Sequence, residues 1–250
     1  MSLPVGLQLY SIRETLGQNY EEGVRRVAEM GYAGVEPAGF PGTTPDAAGK
    51  LFKELGLAVP AAHSQLPLGE HKNEVLDAMA AIGCPRLICP VIPQGLETVD
   101  QVKKACDHFN EANAVATEAG MTFGIHNHYW EFQMIGERTV FDMLYDYLAP
   151  TVFFEIDTYW VQVGGADPVG IVKKLGERAP ILHIKDGPGN REEPMLAVGD
   201  GVMDIPSVVR AGGDATKWLV VELDRVAADM MTAVERSYSY LVNEGLGHGA

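Results

Sequence analysis

Short apolar runs alternate with longer amphipathic stretches from one end of the chain to the other. Runs over 5–10, 34–36, 59–63, 87–91, 122–126, 152–156, 181–184 and 218–222 are rich in Val, Ile, Leu and Phe and too short for helices, so they read as strands. The stretches between them end in helix punctuation. Gly31, Gly56, Gly83, Gly120 and Gly176 stand where a chain leaves a helix through the left-handed region. Thr44-Pro45 and Asp167-Pro168 each pair an N-cap residue with a proline in the first turn, where a missing amide proton costs little. Strand and helix in strict alternation predict a parallel sheet covered by helices, and eight such units predict closure into a (β/α)8 barrel. No Gly-x-Gly-x-x-Gly follows the first strand, where Gly6-Leu7-Gln8-Leu9-Tyr10 leads into Ser11-Ile12-Arg13, so an open nucleotide-binding sheet is disfavoured.

Composition narrows the partners. The 250 residues, 46% of them hydrophobic, suit one barrel domain over 1–250, and the longest irregular stretch, 187–203, reads as a loop over the strand ends. Nineteen Lys and Arg against 34 Asp and Glu leave a net charge of −15, which opposes both nucleic acid and anionic lipid. No apolar run reaches the roughly 18 residues of a membrane span. Cys84, Cys89 and Cys106 form no Cys-x-x-Cys pair and fit a reducing cytoplasm as small apolar packing groups.

The candidate chemistry lies at the ends of the strands. Side chains alternate along a barrel strand between interior and helix layer, so a polar residue at the last inward position points into the mouth. Glu36, His63, His126, Asp157, His183 and Glu222 each close an apolar run in this way. Several carboxylates in one low-dielectric mouth cannot all ionise without a cation, and a divalent metal (Mn, Co, Zn or Mg) is the simplest one. Asp157, His183 and Glu222 end three consecutive strands and can converge as ligands; strand five is expected to supply a fourth group. Glu155, two residues before Asp157 on the same face, is expected to form a structural pair with Lys185, and Asp186 to be a turn residue.

The segments Gly124-Ile125-His126-Asn127-His128-Tyr129-Trp130-Glu131-Phe132, Glu155-Ile156-Asp157-Thr158, His183-Ile184-Lys185-Asp186 and Val221-Glu222, with the opening Gly6 to Arg13, resemble the sugar phosphate isomerase/epimerase superfamily. These are the xylose-isomerase-like TIM barrels, which include ketose 3-epimerases, inosose dehydratase and endonuclease IV. The resemblance covers nearly the whole chain and implies metal-ligand roles for Asp157, His183 and Glu222. Epimerases of the superfamily place a glutamate on strand five, and the residue that aligns with it here is read as Gly124. His126 is the candidate fourth ligand, and Glu131 on the following loop competes with it and is a further catalytic candidate.

The expected activity is a metal-dependent isomerase or epimerase of a small sugar or keto-sugar, working by proton abstraction next to a chelated carbonyl. Glu222 is the candidate base as well as a ligand, and Lys185 the group that holds a substrate oxygen or its developing charge. Glu36, His63 and His128 are candidates for binding hydroxyls, and Trp130 and Trp160 for stacking on a sugar face. Only Arg13 and Arg191 are free to meet a phosphate, so an unphosphorylated sugar is expected. A lyase or dehydratase acting on a keto-inositol or 3-keto-glycoside is the alternative, and a metal-stabilised, non-catalytic sugar-binding subunit is the alternative outside catalysis. Barrels of this kind often form homo-oligomers.

Overall fold

A computed structural model describes residues 2–250. Among these, eight parallel strands form the barrel wall: β1 (Leu3–Gln8), β2 (Gly34–Glu36), β3 (Ala62–His63), β4 (Arg86–Pro90), β5 (Thr122–His126), β6 (Phe153–Asp157), β7 (Ile181–Ile184) and β8 (Trp218–Val221). Each neighbour pairs with the next from β3 round to β8, β8 pairs with β1, and β1 pairs with β2. The remaining seam, between β2 and β3, is held by the isolated bridges Gly34 to Ala58 and Ala38 to His63. Continuous pairing is lost there because Pro60 has no amide proton, and β3 is accordingly shorter than the run over 59–63 predicts.

An outer helix follows each strand: Tyr20–Glu29, Pro45–Glu54, Lys72–Ala81, Val99–Glu118, Val140–Tyr147, Pro168–Leu175, Ile205–Gly212 and Met230–Asn243. The expected punctuation is in place. Thr44 and Asp167 cap their helices through their side chains with proline next in line, and all five named glycines have positive φ. Arg25 bridges Glu21 one turn away on a solvated face. No helix among the described residues is long and apolar enough to cross a membrane.

The barrel floor explains why strand-end chemistry is confined to one end. Ala61, Ile88, Phe153, Ile181 and Val220 form an inner apolar cluster against Trp218. The Phe153 ring fills the space beside Gly124, where a Cβ would lie 2.5 Å from it, and Trp218 fills the space beside Gly34. Large rings opposite glycines plug the lower barrel and leave the upper end polar.

Two of the strand ends that depart from the predicted runs have clear local causes. β1 stops at Gln8 because the Gln8 side chain accepts from the Tyr10 amide and turns the chain into a short 3-10 helix, Leu9–Ile12. β6 runs on to Asp157, whose Oδ1 then caps the short helix Thr158–Val163 by accepting from the Trp160 amide at 2.9 Å. The loop over 187–203 is irregular as expected, and Asp186 organises it as more than a simple turn residue. Its carboxylate accepts from the amides of Gly187, Gly199, Gly201 and Met203.

Candidate metal centre and its cavity

Parallel pairing fixes which side chains meet at the upper end. In register, His126 faces Glu155 across β5 and β6, and Asp157 faces His183 across β6 and β7. Glu222 follows the last residue of β8 and reaches His183 Nδ1 at 2.9 Å. His126, Asp157, His183 and Glu222 each offer a ligand atom, all within 4.8 Å of one another, and all four are buried. Asn127, which no strand-end pattern singles out, clamps this geometry by accepting from the Asp157 amide and donating to the Asp157 carbonyl.

A second quartet, His63, His126, Glu155 and His183, shares two of these residues and lies on the Glu36 side. Glu155 Oε2 is 2.5 Å from His63 Nε2, 3.0 Å from His126 Nδ1 and 3.1 Å from His183 Nε2. Glu36 Oε1 adds a contact of 2.8 Å to His183 Nε2 and takes a hydrogen bond from Gln8. The expected pair between Glu155 and Lys185 does not form. Glu155 sits among imidazoles, one layer below the ammonium, and Lys185 instead meets Glu222 at 2.7 Å, Asp157 at 2.9 Å and Asp224 at 3.0 Å. Asp224, two residues past Glu222, is a partner that no strand-end pattern singles out.

The protonation pattern follows from this crowding. Burial opposes charge on every member, yet the carboxylates around them keep His183 and Lys185 well above their usual ranges and hold His63 at about 10. Burial is outweighed at Glu222 too, where Lys185 and His183 hold the carboxyl well below its usual range. At Asp157 burial prevails and the pKa rises, with Glu222 adding repulsion, and Glu155 rises through burial and the charge of Glu36. Burial and three neighbouring histidines push His126 down, so it stays neutral with a lone pair to give.

These residues fit a divalent cation. Asp157 Oδ2 has no hydrogen-bond partner, because Lys185 Nζ lies near it without hydrogen-bond geometry, and Glu36 Oε2 and Glu155 Oε1 are also unpartnered. The cluster therefore carries more buried acceptors than its own donors satisfy. Two carboxylates and two imidazoles without thiolate form a mixed N/O set.

Above the quartet opens a cavity of about 970 Å³, whose lining includes His63, His126, His128, Trp160, Lys185 and Glu222. Other candidates stay outside it. Glu131 is fully buried and accepts from the His128 amide, so it belongs to neither quartet and backs His128 instead of competing as a ligand. Trp130 stacks on His128 at 4.1 Å and donates to the Val91 carbonyl; it supports a wall residue and does not itself line the cavity. Glu36 is sealed beneath the histidines. Arg13 is held by the carbonyls of Tyr10 and Asp224, and Arg191 lies in a separate shallow recess beside Glu192.

The comparisons agree with this architecture. The family model for xylose isomerase-like TIM barrels matches residues 24–237. A sugar phosphate isomerase/epimerase from Parabacteroides distasonis ATCC 8503 superposes with a TM-score of 0.82 at 25% identity, over 96% of this chain and 94% of that one. The IolI protein with a bound zinc atom gives 0.74 at 12% identity, over 96% of this chain and 97% of that one. The probable 3-DHS dehydratase AsbF from Bacillus anthracis gives 0.74 at 12% identity, over 97% and 99%. No curated protein sequence matches significantly. With the eight-stranded barrel and the family match over most of its length, the chain belongs to the xylose isomerase-like TIM barrel family.

Proposed function

We propose that this protein is a divalent-metal-dependent isomerase or epimerase of a small, unphosphorylated sugar or keto-sugar. The observation that carries the reading is the convergence of His126, Asp157, His183 and Glu222 beneath a large cavity that Lys185 and Glu222 line together. A bound ion supplies Lewis-acid polarisation of a carbonyl and its neighbouring hydroxyl, and Zn, Mn and Co suit the mixed donor set better than Mg, which prefers oxygen. The zinc atom in the IolI neighbour agrees with that choice.

The protein's own groups divide the remaining work. Glu222 is held ionised chiefly by the Lys185 ammonium 2.7 Å away, so it is in the right state to take a proton from the carbon beside the carbonyl. Lys185 is held protonated by its three carboxylate neighbours, so it serves as a donor to an oxygen that gains negative charge and not as a base. His63 and His128 stand on the wall as hydroxyl partners, and Trp160 offers an apolar face. Returning the proton to the opposite face gives an epimer, and returning it to the adjacent carbon gives an isomer. Among the described residues no arginine lines the cavity, which supports a substrate without phosphate. The three free thiols fit a cytoplasmic enzyme.

The imidazole at the strand-five position favours a second reading, a lyase. Two-glutamate epimerisation needs a carboxylate there, whereas a lyase needs only one base and an acid for the leaving oxygen. In that case the proton moves to Glu222, the C–O bond at the β carbon breaks, and the oxygen departs with a proton from a wall imidazole.

Metal analysis of the purified protein tests the site first, and a protein that takes up none of Zn, Mn, Co or Mg overturns the reading. Incubation with keto-sugars in deuterated water, followed by NMR, separates the reactions. Deuterium incorporation with all hydroxyls retained is the expected result; loss of water with a new enone signal supports the lyase. Sugar binding without any exchange identifies a non-catalytic binding protein.

A further inference from the structure

We propose that the cavity has a second, apolar lobe that binds an aryl group carried by the sugar. This rests on the sugar-binding reading above and specifies its substrate class. The cavity's volume of about 970 Å³ lies at the top of the roughly 300–1,000 Å³ range that suits drug-sized ligands, and a hexose of about twelve heavy atoms leaves most of it unfilled.

The two ends of the cavity differ in chemistry. Over β5 to β8 it is lined by His126, Lys185 and Glu222 of the candidate centre, with His128 and Trp160 beside them. Over β3 and β4 the wall is Leu66, Val91, Ile92, Leu96, Ala105 and Phe109, contributed by the loops after these strands and by the helix Val99–Glu118. Ile92 is 62% exposed and Tyr10, also in the lining, 46%; both are large apolar side chains left in water beside a site that recognises polar groups. His63, Ser64, Gln65, Gln94 and His108 also line this side. An apolar wall with a few polar groups fits a phenolic ring, whose body is apolar and whose substituents are polar. A second sugar ring needs hydrogen-bond partners along its whole edge, and the six apolar residues of this wall offer none.

The chemical consequence is specific. An aryl group attached at the anomeric oxygen blocks ring opening, so reaction is confined to carbons flanking a ketone within the ring. Epimerisation beside that ketone and elimination of the substituent both remain open, and ring-opening isomerisation does not.

Calorimetric titration of the metal-loaded protein with 4-nitrophenyl β-D-glucopyranoside, methyl β-D-glucopyranoside, cellobiose and free 2-naphthol tests the lobe. The expected result is binding of 2-naphthol, and about tenfold or more tighter binding of the aryl glycoside than of the methyl glycoside, from burial of one ring. Ile92→Asp, at an exposed position outside the candidate centre, is expected to weaken both aryl ligands about tenfold; Leu66→Ser is the second variant. Equal affinities for the aryl and methyl glycosides, preference for cellobiose, no binding of 2-naphthol, or loss of aryl binding in neither variant overturns the lobe. Because 2-naphthol needs no sugar site, its binding without proton exchange on any keto-sugar isolates failure of the proposed activity from failure of the lobe.

Discussion

The ammonium of Lys185 lies 2.7 Å from Glu222 Oε2, and the same nitrogen is 2.9 Å from Asp157 Oδ2. An internal cation thus sits against both carboxylates of the candidate metal quartet. A divalent ion and the ammonium compete for the same oxygens, with Asp224 the partner to which Lys185 can move. Replacing Lys185 with Met is expected to tighten zinc binding by about tenfold, read by competition with a chromogenic chelator. The metal-free variant is expected to lose roughly 3–5 kcal/mol of stability, the cost of leaving buried charges uncompensated, and zinc to restore it. Weaker zinc binding by the variant would refute the competition.

Glu222→Gln keeps the volume of the side chain while removing the charge that serves both ion and proton. Deuterium exchange into substrate is expected to fall by about 10²–10⁴, the usual contribution of a general base, with the far-ultraviolet dichroism unchanged. Zinc affinity is expected to drop as well. Retained exchange would move the base to a wall histidine.

His63 gives a pH dependence whose sign is fixed. Burial works against its charge, but Glu155 and Glu36 raise its pKa from 6.5 to about 10 in the folded protein. The stability it contributes is therefore fully present below pH 6.5 and is lost as pH rises towards 10. Urea midpoints of the metal-free protein at pH 6, 8 and 10 are expected to fall in that order. His63→Gln should flatten the decline, and an unchanged slope in that variant counts against the assignment.

Asp186 ties down the loop over 187–203 through four backbone amides. Asp186→Ala leaves those donors without their acceptor and is expected to cost about 2–4 kcal/mol, with faster hydrogen exchange confined to Gly187, Gly199, Gly201 and Met203. If global stability falls while those amides stay protected, the loop is held by something else.

Much of this was legible in the chain. Strand and helix periodicity, with glycines at helix exits and proline after Thr44 and Asp167, follows from local backbone chemistry, which sequence encodes directly. The inward polar residues at strand ends were legible for the same reason, since a period of two fixes the face each residue occupies. Strand ends were less so: Gln8 and Pro60 alter pairing through one side-chain cap and one missing donor.

Other features depend on contacts between distant segments. The sequence placed Glu155 with Lys185 because both lie inward on neighbouring strands, but strand stagger puts Glu155 level with His126 and delivers Lys185 to Asp224. Glu131 and Trp130 looked like site residues from their proximity to His126 in the chain, yet the turn after β5 folds them behind His128. The resemblance aligns Gly124 with the family's glutamate; in the barrel it lies one layer deeper than His126, where the Phe153 ring leaves no room for a side chain.

By itself, then, the sequence determined the barrel and the residues that end its strands, because alternation and capping are properties of consecutive positions. Only the tertiary structure decided which of those residues meet, and that the cavity above them is polar at one end and apolar at the other. The register between strands, and the loops that rise from them, are set by packing across the whole barrel, and no local stretch of chain carries that information.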